Sequence, residues 1–238
     1  MTSGIIIKLR KLKKILNQIN FKNHHLIERI KINKKWYGND YGGFYIYQKL
    51  LNPDSIVYSF GIGEDISFDN AVIKNHKCYL YAFDPTPKSI NWIKSKTLSS
   101  NFTFFEYGIA EKSGTFDFFL PKNTNNISGS YVFQNSVDSK QKIKVEMRSF
   151  SDIVDDLGHN HVDVLKMDIE GAEYAVLESI LNNPINIPQI LIEFHDRLFL
   201  DGREKTKNAI MRLRDYNYEI FGVSNSLQEI SFINKNFV

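Results

Sequence analysis

Val162-Asp163-Val164-Leu165-Lys166-Met167-Asp168-Ile169-Glu170-Gly171-Ala172-Glu173-Tyr174 is the stretch that decides the fold of this chain. Its first half is a strand of mostly branched apolar residues, and its second half opens a helix from Ala172 to about Leu181. A continuous apolar strand running into a helix suits a parallel sheet covered on both faces. Lys166, Asp168 and Glu170 interrupt the run at a spacing of two, which puts them on one side while the chain stays extended. Asp168 and Glu170 then fall at the carboxyl end of the strand, where open α/β sheets bind ligands. Complementing the helix dipole, at about 0.3–1 kcal/mol per charge, accounts for Glu170 and Glu173. It does not account for Lys166 inside the strand or Asp168 just past it, because charges there are costly unless paired or used.

Outward from this stretch the chain repeats strand, turn and helix. Upstream lie a strand Ile56–Phe60, the turn Gly61-Ile62-Gly63-Glu64-Asp65 and a helix from about Ser67 to Asn75. A second strand, Tyr79–Phe83, ends at Asp84, and Pro85 and Pro87 introduce a helix through about Thr97. Phe102–Glu106 is a third strand. Thr115–Leu120 and Lys142–Glu146 read as further strands around the polar run 121–131, and Ser149 or Ser151 caps a short helix. Downstream, Gln189–Phe194 ends in His195, a helix spans about Glu204 to Arg214, and strands Tyr218–Val223 and Glu229–Ile233 close the chain. The alternation predicts an α/β fold with a doubly wound, Rossmann-like parallel sheet. The last two strands, joined by a short turn through Asn225-Ser226, must pair antiparallel.

The division expected is 1–54, a basic amphipathic helix and irregular lead-in, and 55–238, the α/β domain. In residues 5–20, Leu9, Leu12, Leu16 and Ile19 recur at helical spacing among Lys8, Arg10, Lys11, Lys13 and Lys14. Such a helix either packs on the domain or meets an anionic membrane surface or a partner protein. Residues 33–54 are rich in Tyr, Gly and Asn and suit part of a lid.

Composition narrows the class. With 42% hydrophobic and 24% charged residues, the chain is an ordinary globular one. Cys78 is the single cysteine, so no internal disulfide forms, and a core thiol in a reducing compartment is expected. No apolar run approaches the roughly 18–20 residues of a spanning helix, and the short apolar run at the start precedes the basic cluster, against signal-peptide order. The expected location is cytoplasmic. Residues 1–40 carry ten Lys/Arg against two Asp/Glu, whereas the remainder carries twenty against twenty-five. The basic charge is local, so no nucleic-acid partner is expected.

Gly61 and Gly63, between a strand and a helix, allow close backbone approach and a sharp turn. Asp84 ends the next strand about 20 residues on, placed to accept from ribose hydroxyls. A dinucleotide fingerprint wants a third glycine, but here the chain reads Glu64-Asp65-Ile66-Ser67. Two carboxylates at that helix start disfavour a pyrophosphate and favour a cationic ligand such as the sulfonium and ammonium of S-adenosyl-L-methionine.

The set YSFGIGED, YAFDPTPKS, FFEYGIAEKSG, VDVLKMDIEGAEYAVLE and QILIEFH resembles the FkbM family of S-adenosylmethionine-dependent methyltransferases over about residues 55–235. The resemblance implies a class I methyltransferase sheet, mostly parallel and seven-stranded with an antiparallel closing strand. It also implies O-methylation, commonly of sugars or glycosylated metabolites. Ser59 stands where a strand-end Asp is usual, and Asp65 where a third small residue is common. By position, Gly61, Gly63, Glu64 and Asp65 line the methionine part and Asp84 the ribose, and Ser59 is counted with the cofactor-binding residues. Glu106 and Tyr107 lie near the adenine with Gly108, Ile109 and Ala110 behind them, and Asp168 stands beside the methyl donor.

A hydroxyl is a poor nucleophile at neutral pH, so a base is expected to add about 10²–10⁴-fold to the effect of positioning. Asp168, Glu170, Glu193 and His195 all lie at the carboxyl edge, with His195 or Asp168 as base and Lys166 and Glu170 holding base and substrate. These groups are compatible with a divalent cation, but their spacing does not demand one, and no metal is included. Asn125, Asn126, Ser128, Gly129 and Ser130 form a weaker candidate for the acceptor site. The expected partner is a small molecule or glycan with a free hydroxyl. The competing functions are a nicotinamide-dependent sugar oxidoreductase and a non-catalytic cofactor-binding accessory module.

Overall fold

Alternate residues of the buried strands feed two separate apolar layers, and this alternation organises the molecule. The computed structural model describes residues 21–121, 129–132 and 137–238. The basic helix expected over residues 5–20 lies outside them. The elements are β1 (Lys35–Tyr37), β2 (Phe44–Ile46), β3 (Ile56–Phe60), α1 (Ser67–His76), β4 (Tyr79–Phe83), α2 (Pro87–Lys94), β5 (Phe102–Phe105) and β6 (Gly108–Ile109). Then come β7 (Gly114–Pro121), β8 (Val137–Arg148), α3 (Phe150–Leu157), β9 (Val164–Met167), α4 (Glu173–Leu181), β10 (Gln189–Glu193), α5 (Gly202–Asp215), β11 (Tyr218–Val223) and β12 (Glu229–Asn234).

The main sheet has seven strands in the order β11-β12-β10-β9-β3-β4-β5. Strands β10, β9, β3, β4 and β5 run parallel, and β12 is antiparallel to both β10 and β11. Tyr58, Phe60, Leu165, Met167, Ile190 and Ile192 face one layer with α3, α4 and α5. Val57, Leu80, Ala82, Val164 and Leu191 face the other with α1 and α2. The chain leaves β3 toward β4 and β5, then returns to β9 and β10 on the other side, so the topological switch lies between β3 and β9. A crevice opens there at the carboxyl ends.

Two findings go beyond the expected alternation. Strands β7 and β8 pair antiparallel and, with β6, form a separate three-stranded sheet. That sheet carries its own apolar cluster of Ala110, Phe118, Val145 and Met147. The lead-in is more regular than its composition indicates. Strands β1 and β2 form a hairpin whose Tyr37, Phe44 and Ile46 are buried with Phe68 and Val72 of α1. Ser149, rather than Ser151, caps α3 by accepting from the Asp152 N–H. Among the described residues no helix is long and apolar enough to cross a membrane.

Candidate active site

The Gly61–Asp65 turn leaves β3 with Gly61 at φ +76° and Gly63 at φ +52°, in the left-handed region. A Cβ on Gly61 would fall 1.7 Å from the Asp168 carbonyl oxygen, so the glycine is dictated by the neighbouring backbone. Lys166 is buried and donates from Nζ to the Gly61 carbonyl at 2.7 Å. Asp69, on α1, is also buried, and neither of its oxygens makes a hydrogen bond. Burial pushes its carboxyl above the usual range, and the Lys166 charge works against that push. Lys166 therefore serves the underside of the turn.

Asp84 fastens the same turn from β4. Its Oδ2 accepts from the N–H groups of Ile62 at 3.2 Å and Gly63 at 3.0 Å. Its Oδ1 accepts from the Thr86 N–H at 2.9 Å and hydroxyl at 2.7 Å. A carboxylate offers about four lone-pair positions, and the chain's own donors fill them. Burial raises this carboxyl against the pull of those donors.

A cavity opens over the turn, and its two sides differ in polarity. On the side of β3 and β9 stand Glu64, Asp65, Asp168 and Glu170. On the side of β4 and the small sheet stand Pro85, Ile109, Phe118, Tyr131 and Met147. Tyr41 and Gly42, in the β1–β2 turn, also line it. That turn is tied down where the Asn39 amide donates to Asp65 Oδ2 at 2.6 Å. Asp65 also accepts from the Ser67 N–H, and Glu64 lies 4.0 Å from the Lys88 ammonium.

Behind the acidic side, carboxylates from three elements converge on one ring. The His195 side chain is 1% exposed, and Nε2 lies 3.4 Å from Glu170, 3.6 Å from Asp168 and 3.6 Å from Glu193. Nδ1 lies 3.4 Å from Glu173. Glu173, wholly buried, accepts from the Gly171 and His195 N–H groups, each at 2.8 Å, and so joins the β9–α4 turn to the end of β10. Burial alone pulls the His195 ring down, but Glu173, Glu170 and Asp168 outweigh it and push it up to about 10. Burial, with Asp168 nearby, pushes Glu193 up to about 8.

The Methyltransferase FkbM domain model matches residues 56–220, which hold the turn, most of the cavity lining and this cluster. The chain belongs to the FkbM methyltransferase family. Two relatives are the probable methyltransferase-like protein 24 of Homo sapiens and of Rattus norvegicus, each 25% identical over 154 residues. Those matches cover 64% of this chain and 36% of each relative, so the chain spans about a third of their length. Among solved structures, Aeropyrum pernix fibrillarin in complex with natively bound S-adenosyl-L-methionine is similar at 11% identity. Its TM-score is 0.41, over 87% of this chain and 85% of that one.

Within this FkbM domain, several residues sit apart from their expected places. Ser59 is buried beneath the turn, in register with Lys166, and does not line the cavity. Glu106 points outward and pairs with Lys94 at 2.6 Å. Tyr107 is buried against Phe83 and Phe105 with the Arg148 guanidinium over its ring. Because alternate side chains past β5 enter this aromatic stack, Gly108 and Ile109 form the cavity wall instead. Lys166 and Glu170 do not act as one group, because β9 ends at Met167 and the chain turns through Glu170 at φ +49° and Gly171 at φ +94°. His195, the expected base, is enclosed behind these carboxylates and does not line the cavity. Asn125, Asn126 and Ser128 lie outside the described residues, whereas Gly129 lines the cavity and Ser130 bridges to Phe119. Phe118, Tyr131 and Met147 gave no signal in the sequence: Phe118 lies in a run read only as a strand, Tyr131 ends the polar run, and Met147 falls just past the strand read over Lys142–Glu146.

Proposed function

We propose that this FkbM domain transfers a methyl group from S-adenosyl-L-methionine to a hydroxyl of a sugar, glycan or glycosylated metabolite. The observation that carries the reading is the polarity of the cavity. Its carboxylates suit the sulfonium and ammonium of the donor, and Ile109, Phe118 and Met147 suit the flat adenine. The Gly61–Gly63 turn lies between them and leaves room for backbone approach to the ligand. The fixed Asp84 carboxylate shapes that turn.

S-adenosyl-L-methionine supplies an activated methyl group when bound. The chain's own part is to hold an acceptor oxygen in line with it and to take the proton the hydroxyl gives up as the new C–O bond forms and the C–S bond breaks. Asp168 and Glu170 are the strand-end carboxylates that line the cavity, so the proton goes to one of them. His195 acts from behind as their countercharge.

Calorimetric titration of the full chain with S-adenosylhomocysteine and with NAD tests the donor. Micromolar binding of the first without the second is expected. Transfer of a labelled methyl group to a panel of sugars then tests the acceptor, with Glu170→Gln expected to keep S-adenosylhomocysteine binding and lose transfer by about 10²-fold or more. NAD binding without S-adenosylhomocysteine binding would overturn the reading in favour of an oxidoreductase. Binding of neither would point to an accessory module.

A further inference from the structure

The strand-end cluster gathers more carboxyl groups than the methyl-transfer reading uses. Asp168, Glu170 and Glu193 each bring an oxygen within 3.4–3.6 Å of His195 Nε2, and Glu173 stands on the other side of the ring. Arg197 reaches Glu193 only at 3.8 Å from an exposed position. Carboxyl groups gathered in so enclosed a place are costly unless they are put to use. Neither ring nitrogen of His195 makes a hydrogen bond, although the side chain is 1% exposed and Nε2 points into the acidic group. A buried ring that size normally finds a partner.

One atom each from Asp168, Glu193 and His195 lie within 4.8 Å of one another. Octahedral ligands at about 2.1 Å from a small dication stand about 3.0 Å apart when adjacent and about 4.2 Å when opposite. The two Nε2–carboxylate separations, 3.6 Å each, are too long for hydrogen bonds and about 0.6 Å wider than adjacent ligands. A small side-chain contraction closes them.

We propose that Asp168, Glu193 and His195 form a divalent-cation site at the inner edge of the cavity. One imidazole with two carboxylates suits a first-row ion of the Mn²⁺ type, which keeps positions open for other oxygen ligands. Binding displaces the Nε2 proton, as coordination of imidazole requires, and replaces one positive charge in the carboxylate cage by two. Asp168 faces the cavity, so the open positions point to where the acceptor binds. A vicinal diol or an α-hydroxy acid fits two of them, and Glu170 is left as the carboxylate that receives the proton. This role for the ion rests on the methyl-transfer reading; the existence of the site does not.

The test is titration of the full chain with Mn²⁺, following the free ion by electron paramagnetic resonance. S-adenosylhomocysteine binding without added metal is measured in parallel. One Mn²⁺ per chain is expected, at micromolar affinity, weakened at least tenfold by Glu193→Gln and by His195→Gln. Spin-echo modulation from a coordinated imidazole nitrogen in the Mn²⁺-loaded wild type gives the same assignment even where a variant does not fold. Absence of saturable binding, of that modulation, or of any loss in folded variants would overturn the site. S-adenosylhomocysteine binding that persists in that case leaves the methyltransferase reading standing. Mn²⁺ binding without S-adenosylhomocysteine binding would do the reverse.

Discussion

The Lys166 ammonium donates to the Gly61 carbonyl oxygen at 2.7 Å, across the strand pair that flanks the topological switch. Two of the chain segments that border the cavity leave the sheet here. The Gly61 turn departs from β3, and Asp168 follows β9 so closely that its carbonyl excludes any side chain on Gly61. Lys166 and the Asp69 carboxylate lie buried beneath this crossing.

Lys166→Met removes the donor and leaves the Asp69 carboxylate buried without its countercharge. A loss of roughly 1–3 kcal/mol is expected in denaturant unfolding, the usual cost of leaving a buried acceptor without its partner. Adding Asp69→Asn to that variant should restore part of the loss. A double variant no better than the single one would show that the two charges are not coupled.

Asp84→Asn keeps one acceptor oxygen and replaces the other by an amide nitrogen that cannot receive the donors now on it. Unfolding should show a loss of about 1–3 kcal/mol. S-adenosylhomocysteine affinity should fall only as far as the Ile62–Gly63 turn loosens. Unchanged stability with a collapse in affinity would instead place the carboxylate against the ligand itself.

Glu173→Ala leaves the Gly171 and His195 N–H groups without their acceptor and His195 without its Nδ1 neighbour. A loss of roughly 3–5 kcal/mol is expected in thermal or denaturant unfolding. Full stability would mean that the β9–α4 turn and the end of β10 are held together by packing alone.

Cys78 has no exposed surface, and burial pushes its thiol up to about 11. The native chain should therefore react with a disulfide reagent at pH 8 at a rate set by opening of the structure, and at the free-thiol rate in denaturant. Because Cys78 is the single cysteine, the labelling curve should follow unfolding without correction. Prompt labelling of the native chain would contradict the buried placement.

The strands of the main sheet were legible in the sequence because each is a short apolar run ended by a turn signal. Ile56–Phe60 and Tyr79–Phe83 match their expected bounds. The lead-in was less legible because β1 and β2 have three residues each, too short for alternation to stand out, and they are held by packing against α1. Within the site, Gly61, Glu64, Asp65, Asp168 and Glu170 lie around the cavity because they directly follow strands that end at the switch. Glu106 and Tyr107 also follow a strand, but β6 intervenes and carries Gly108 and Ile109 to the cavity instead.

The sequence by itself determined the α/β class, the antiparallel end of the sheet, the family and the edge at which the ligand groups gather. Periodicity, turn residues and motif spacing are local properties, and strand ends inherit their position from them. Tertiary structure alone decided what each charged side chain faces. It turned Lys166 under the glycine turn, filled Asp84 with donors from the Ile62–Gly63 turn and Thr86, and closed four carboxylates around His195. Those outcomes depend on distances between segments far apart in the chain, which no local pattern encodes.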